Sequence, residues 1–374
     1  ALGRRSFLRR ASVAGGAALA AGALGSAAAG VLPRGEGGGS EGASRPLDRK
    51  TTTGRTVAAT TPAPGNESGT DADAGDDGGG FGFDFGAMPA RVGDIEDHYV
   101  VDKNATDPTV DTDSWTLDVG GDVEEPYSLA HEDLLDHDAA VDEVVTTSCI
   151  SNPVGGYLVS TVEWTGVPLT ALLEEAGVRA DAYDIVTHAA DGYTESIPVE
   201  VADRDDILVA FGASGETLPV AHGFPARLLV PGRYGMKSTK WLTRIEASTR
   251  DHRGFWEQRG WSEEAVVNTF SYVRAAEVGS ERTAVGGVAY AGTRGIRRVE
   301  VSVDGGETWQ EAELEDPPGE HAWRRWRYVF DTPTGDSFET VVRAVDGTGA
   351  RQTSERTSPH PDGSTGWHHR MVFL

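Results

Sequence analysis

Along this chain apolar residues recur mostly with the two-residue period of half-buried strands. Trp115-Thr116-Leu117-Asp118-Val119 alternates and ends in Gly120-Gly121, the pattern of a strand closed by a turn. Residues 141–147 are apolar and β-branched and run towards the turn Pro153-Val154-Gly155-Gly156. Apolar runs at 183–187, 207–211 and 227–230 predict buried strands. Helix signals are few. Ser128 is placed to cap a helix running to Leu135, and Pro168 opens another that Gly177 stops after Ala176. Short helices among strands, without regular βαβ alternation, predict an α+β domain over residues 91–275. Past Val285 the helix signals end. Val299-Glu300-Val301-Ser302-Val303 alternates, Asp304-Gly305-Gly306 turns, and residues 326–330 and 338–345 alternate again. Regular strands between Gly-rich turns predict an immunoglobulin-like β-sandwich over 276–374, without the disulfide of antibody domains.

Composition changes this picture at the surface and at the N-terminus. The 374 residues carry 59 acidic against 33 basic side chains, a formal charge of −26, and lysine is rare beside arginine. Such a charge repels phosphate and argues against nucleic-acid or anionic-membrane partners. It also costs self-repulsion unless salt screens it, and at molar salt the screening length falls to roughly 3 Å. The expectation is a halophile, with an acidic protein from low salt as the alternative. Residues 1–30 have a twin-arginine layout: Arg4-Arg5-Ser6-Phe7-Leu8-Arg9-Arg10, then an Ala/Gly-rich apolar stretch over 11–29. They read as an export signal, cleaved or kept as an anchor, which places the protein outside the cell or tethered to the outer face of the membrane. Residues 31–90 are an acidic Gly/Ser/Thr-rich stretch expected to be a disordered tether.

Cys149 is the only cysteine, in the run Thr147-Ser148-Cys149-Ile150-Ser151-Asn152-Pro153. Alone it forms no internal disulfide. At a strand end it is expected to be exposed and fixed in direction, as a soft thiolate ligand or a nucleophile. The alternative is a small buried hydrophobe. A second feature is the block His222-Gly223-Phe224-Pro225-Ala226-Arg227-Leu228-Leu229-Val230-Pro231-Gly232-Arg233-Tyr234-Gly235-Met236-Lys237-Ser238-Thr239-Lys240-Trp241-Leu242. A strand here feeds a turn with cations, hydroxyls and free backbone N–H groups, a combination that wraps phosphate or another anion. A solvated loop paired with nearby carboxylates is the alternative.

These two blocks, with the sandwich run 299–309 and Val342-Arg343-Ala344-Val345-Asp346 through Gly349, resemble the sulfite oxidase family of molybdopterin enzymes over roughly residues 95–374. The resemblance implies a mixed α+β molybdopterin-binding domain followed by a dimerising sandwich, hence a homodimer. It implies that Cys149 supplies the protein thiolate to molybdenum. His222 and Arg227 match positions that contact the pterin or its phosphate, and Ser238, Thr239 and Lys240 match the phosphate-cradling loop. Tyr99, Val101 and Asn104 fall in a segment similar to the N-terminal pterin-contacting strand, and His188 and Asp191 lie near another pterin contact.

The chain also departs from the family. Pro153 and Val154 stand where animal and plant sulfite oxidases place an arginine after the metal cysteine, and Trp261 falls at the active-site tyrosine. Pocket candidates are therefore Trp256, Arg259 and Trp261, with Arg233 or Arg259 as replacement cations. The two tryptophans are equally compatible with packing between the domains. The function expected is a two-electron oxygen-atom transfer on a small oxyanion, sulfite first, with reduction of an S- or N-oxide as the alternative. No haem-attachment motif occurs in these residues, so a separate electron carrier is expected. The rival from another class is a non-catalytic, tethered cell-surface sandwich.

Overall fold

The computed structural model describes Leu47 and residues 81–374. The signal expected at 1–30 and most of the tether expected at 31–90 lie outside the described residues. The last ten residues of that tether are packed instead. Phe85 is buried against Ala275 and Ala284, with Phe81 and Met88 around it. Asp84 pairs with Arg325 at 2.7 Å, and the Arg327 guanidinium stands 4.8 Å from the Phe83 ring. Three phenylalanines at period two supply the apolar side that the glycine-rich composition conceals.

The first unit is mostly β. Its strands are β1 (Thr116–Gly121), β2 (Tyr127–Ala130), β3 (Val141–Ser148), β4 (Val159–Pro168), β5 (Asp184–Ala189), β6 (Thr194–Pro198), β7 (Leu208–Ala213), β8 (Glu216–Thr217), β9 (Arg227–Leu229) and β10 (Leu242–Ser248). They form one sheet in the order β2-β1-β10-β5-β6 and another in the order β3-β4-β7-β8, with β9 beside β7. Three short α-helices accompany them among the described residues, α1 (His131–Leu135), α2 (Leu169–Ala176) and α3 (Val199–Ala202), with single 3-10 turns between strands. The α+β domain expected from the sequence is mostly β, with its few helices serving as connections. Ser128 lies in β2 and donates to Asp118 at 2.6 Å instead of capping α1, whose first turn is closed by Asp133 accepting from the Ala130 N–H. Gly177 ends α2 at φ +67, as its position implied. Leu117, Leu172, Ile185, Phe211, Leu228 and Ile245 form the core.

The second unit is a two-sheet sandwich. Its strands are β11 (Phe270–Val278), β12 (Arg282–Tyr290), β13 (Ile296–Ser302), β14 (Gln310–Glu311), β15 (Glu313–Leu314), β16 (Arg324–Asp331), β17 (Ser337–Asp346) and β18 (His368–Phe373). One sheet runs β11-β12-β16-β15 and the other β14-β13-β17-β18, around Val285, Val299, Val301, Trp326 and Val342. β11 opens the sandwich at Phe270, ahead of the boundary expected at 276. The segment before that boundary contains no Gly or Pro break and continues the alternation.

A third apolar cluster joins the units. Ile150 and Val159 of the first pack with Tyr234, Met236, Phe270, Tyr272, Tyr290 and Trp323. The turn after Cys149 is clamped from the sandwich side. Arg274, 7% exposed, donates to Gly155 O at 2.9 Å and Gly156 O at 2.5 Å, and the Ser364 hydroxyl donates to Asn152 O at 2.7 Å. Arg274→Met would leave both carbonyls without their charged donor, and a hydrogen bond to a charged group contributes about 1.5–3 kcal/mol. The variant is expected to melt several degrees lower in calorimetry and to be cut faster by protease within 153–157. Unchanged melting and cleavage would contradict the clamp.

Candidate active site

β3 and β4 deliver Cys149. Their register pairs Ser148 with Val159, and the Cys149 N–H donates to Leu158 O at 2.9 Å. The turn between them is closed by the Leu158 N–H donating to Asn152 Oδ1 at 3.1 Å and the Gly156 N–H donating to Pro153 O at 2.8 Å. Cys149 is 9% exposed, which corrects the expected exposed tip: the seam between the units covers the strand end. It lines a cavity that opens to solvent. Burial raises the thiol pKa, partly countered by Ser151, whose hydroxyl lies 3.0 Å from Sγ.

The opposite wall is the 222–242 block folded back on itself. Gly223 takes φ +111, and a Cβ there would come 3.1 Å from the Cβ atoms of both Arg227 and Lys240. The Leu228 N–H donates to Thr239 O and the Leu242 N–H to Ala226 O, both at 2.8 Å. The doubling back places His222, Arg227, Ser238 and Lys240 on one wall. Arg227 is 5% exposed and donates to the carbonyls of His222 (3.2 Å) and Ser238 (3.3 Å); among the described residues no carboxylate pairs with it. Burial lowers its pKa only to about 10, so it stays charged at neutral pH. Lys240 pairs with Asp102 and donates to Ala221 O at 2.7 Å, while Asp102 Oδ2 is buried without a partner. Burial, then Arg227 and Lys240, holds His222 down to about 3. His98, stacked edge-on against it at 5.2 Å, is lowered by burial and then by His222. Both imidazoles are neutral.

A desolvated guanidinium without a carboxylate is costly, and an anion bound beside it offsets that cost. The orphan Asp102 oxygen adds an acceptor for a donor N–H. Together these groups fit an organic anion that also carries N–H groups. Cys149 contributes one soft donor to the same cavity. Among the described residues no group of three or more His, Cys, Asp or Glu could hold a metal. A metal on Cys149 would therefore draw its other ligands from a bound group. A molybdenum–pterin phosphate meets each of these requirements.

Of the residues singled out from sequence, Cys149, Tyr99, Val101, Asp191, His222, Arg227, Ser238, Lys240, Trp256 and Trp261 all line the cavity. The segment around Tyr99, Val101 and Asn104 is irregular chain, not the strand expected. Asn104 lies behind the wall, donating to Asp191 Oδ2 at 2.6 Å. Thr239 is buried away from the cavity, its hydroxyl 2.7 Å from that of Thr187. His188 does not join the site. It points off the opposite face of β5 from Thr187 and sits 3.0 Å from Glu246, half exposed. Arg259 stacks over Phe255 at 3.6 Å, and Arg233 donates to Glu264 O at 2.5 Å, so neither replacement cation lines the cavity.

Sequence reasoning missed His98, Asp102, Lys103, Tyr193 and Met236 as cavity-lining residues. It also missed the buried cluster behind them. Lys237 lies between Glu195 (3.0 Å) and Glu257, and the Tyr193 phenol reaches Glu195 Oε2 at 3.0 Å. A signal was available: Lys103, Lys237 and Lys240 are the lysines of the described residues, and all three serve this region.

Comparison with known proteins adds independent support. Residues 104–256 match the family model described as oxidoreductase molybdopterin binding domain, and residues 264–364 match that of the Mo-co oxidoreductase dimerisation domain. A Bacillus subtilis protein named uncharacterized oxidoreductase YuiH is 34% identical over 151 residues, 40% of this chain and 74% of that protein. The mitochondrial sulfite oxidase of Rattus norvegicus is 30% identical over 292 residues, 64% of this chain and 53% of the relative. The chain thus spans about half the length of the sulfite oxidases it matches. The crystal structure of the sulfane dehydrogenase SoxCD from Paracoccus pantotrophus shares the fold, with a TM-score of 0.67 at 24% identity over 76% of this chain and 82% of that one.

Burial, ahead of the Lys237 charge that opposes it, pushes Glu195 up to about 8. A carboxyl raised on folding stabilises fully below its unfolded pKa, and the contribution is lost as pH rises through the folded value. The melting temperature should therefore fall between about pH 5 and pH 8.5, and Glu195→Gln should flatten that slope. Equal slopes in the two proteins would refute the assignment.

Proposed function

This chain belongs to the molybdopterin-binding oxidoreductases, and on that premise we propose that it is of the sulfite oxidase type and catalyses a two-electron oxygen-atom transfer, a reading that the likeness to sulfite oxidases supports. The observation that carries the reading is the convergence of the Cys149 thiol and the buried Arg227–Lys240 wall on one cavity. Cys149 would hold the metal. Arg227, Lys240 and the backbone around Ser238 would hold the phosphate, and Asp102 would accept from the pterin. When bound, the cofactor supplies the redox chemistry and the exchangeable oxygen, while the chain orients it and excludes water. Neutral His222 and His98 keep their N–H groups for hydrogen bonding without adding charge.

A second reading, reduction of an S- or N-oxide, is favoured by the wall where substrate would approach. Met236, Trp256 and Trp261 are apolar, and Arg233 and Arg259 are turned elsewhere. Such a wall suits an organic body better than a compact dianion, whose strong contacts are charge-assisted. The remaining proposals are export by the twin-arginine route, function in high salt, an immunoglobulin-like dimerising sandwich, and a separate electron carrier.

Holoprotein from a host that makes the cofactor separates these readings. Turnover of sulfite with a dye acceptor, and none of S-oxides with a reduced dye, supports the first. The reverse result replaces it with the second. Protein that lacks molybdenum and is inert in both assays favours the non-catalytic surface module.

A further inference from the structure

The cluster behind the cavity holds more negative groups than its cation can balance. Glu195, Lys237 and Glu257 are 1%, 2% and 5% exposed. Lys237 Nζ donates to Glu195 Oε1 at 3.0 Å, to Ser196 O at 2.9 Å and to Glu257 Oε1, which uses its full set of N–H bonds. One ammonium faces two carboxylates in a desolvated space. Uncompensated buried charge is expensive, and such sites take up a proton instead.

The remaining contacts show where that proton can go. Glu257 Oε2 accepts from the Gly254 N–H at 2.7 Å, and Glu195 Oε1 accepts from the Ser196 N–H at 3.0 Å as well as from Lys237. Glu195 Oε2 accepts from the Tyr193 hydroxyl at 3.0 Å, and the Glu195 carboxyl also hydrogen-bonds that of Glu257. That hydroxyl also lies 2.7 Å from Met236 O, and Tyr193 and Met236 both line the cavity. Among the described residues hydrogen-bonded to the pair, Tyr193 is the one that lines the cavity.

We propose that Glu195 and Glu257 form a proton-holding site that exchanges one proton with the cavity through the Tyr193 hydroxyl, with Lys237 fixing the geometry. In the delivering direction the Glu195 O–H bond breaks as its proton passes to the phenol oxygen. The original phenol O–H breaks as that proton passes to an acceptor oxygen in the cavity. No electrons move, and the reverse sequence reloads the pair. The chemistry needs such a store, which is where the inference rests on the oxygen-atom-transfer reading: moving an oxygen atom between water and a substrate releases or consumes protons with the electrons. The groups facing Glu195 are Lys237 and Ser196, Glu257 from the 257–259 turn, and Tyr193, with Asp191 acting on the phenol and Asp184 on the far side of Lys237 and Glu257. Burial and the Glu195 charge keep the phenol protonated, so it relays a proton without ionising. Tyr193 acts at the cavity; Glu195, Glu257 and Lys237 act through it.

The test is infrared spectroscopy of the full holoprotein from pH 6 to pH 9, beside the pH profile of kcat. The wild type should show a protonated-carboxyl C=O band at pH 6 that vanishes in mildly alkaline solution. Glu195→Gln, which keeps shape and hydrogen bonds, should lose the band. Tyr193→Phe should keep the band and the metal, hold KM within about twofold, and lose at least tenfold in kcat, since general acid–base groups contribute roughly 10²–10⁴-fold. A wild type without the band, a band that survives in both Glu195→Gln and Glu257→Gln, or a Tyr193→Phe enzyme with wild-type kcat and alkaline limb would each overturn the proposal. The infrared measurement needs no substrate, so its failure is separable from failure of the oxygen-atom-transfer reading.

Discussion

A buried guanidinium that bonds only backbone carbonyls and stands over the Trp164 ring, with no carboxylate in hydrogen-bond reach among the described residues, is the constraint around which this site is arranged. Arg227 stays charged in that setting, and the fold is organised to tolerate it. The chain doubles back at Gly223, so the His222 and Ser238 carbonyls reach the guanidinium and Lys240 arrives on the same wall. Burial, ahead of the nearby cations, keeps the neighbouring imidazoles neutral. An anion bound against such a wall would offset part of the cost of burying it. The thiol of Cys149 looks into the same space, which turns an anion-binding wall into a site for a group that is both anionic and metal-bearing.

The sandwich contributes to this site although none of its strands lines the cavity. Arg274 and Ser364 hold the turn that follows Cys149, and the cluster containing Ile150, Tyr272 and Trp323 fills the seam beneath it. Fixing a metal ligand needs its loop to be immobile. Here the immobility comes from the second unit, so the two units form one functional object even though each has its own core.

Much of this was legible in the sequence, and the gaps have physical causes. The strand at 115–119 was found because one face is buried and the other wet, and 299–303 because its residue types alternate, although Ser302 on its polar face is buried. The cavity walls at Cys149 and 222–242 were found because their chemistry is contiguous along the chain. His98, Tyr193, Glu195 and Glu257 were not, because the fold assembles them from segments far apart along the chain: the stretch before β1, the β5–β6 hairpin and the 257–259 turn. His188 was expected in the site but lies on β5, no residue of which lines the cavity. The packed residues 81–90 were hidden by glycine-dominated composition, although Phe81, Phe83 and Phe85 carried the alternation. Ser128 carried a capping residue type, yet pairing of β2 with β1 prevailed over that local preference.

The most direct test of the central claim compares the wild type with Cys149→Ser, both purified from a host that makes the cofactor, for molybdenum content and for the sulfur shell of the metal by X-ray absorption. The account predicts about one molybdenum per chain in the wild type, and in the variant either loss of the metal or loss of one sulfur from its shell, with turnover abolished. Unchanged metal content, sulfur shell and turnover in the variant would contradict it.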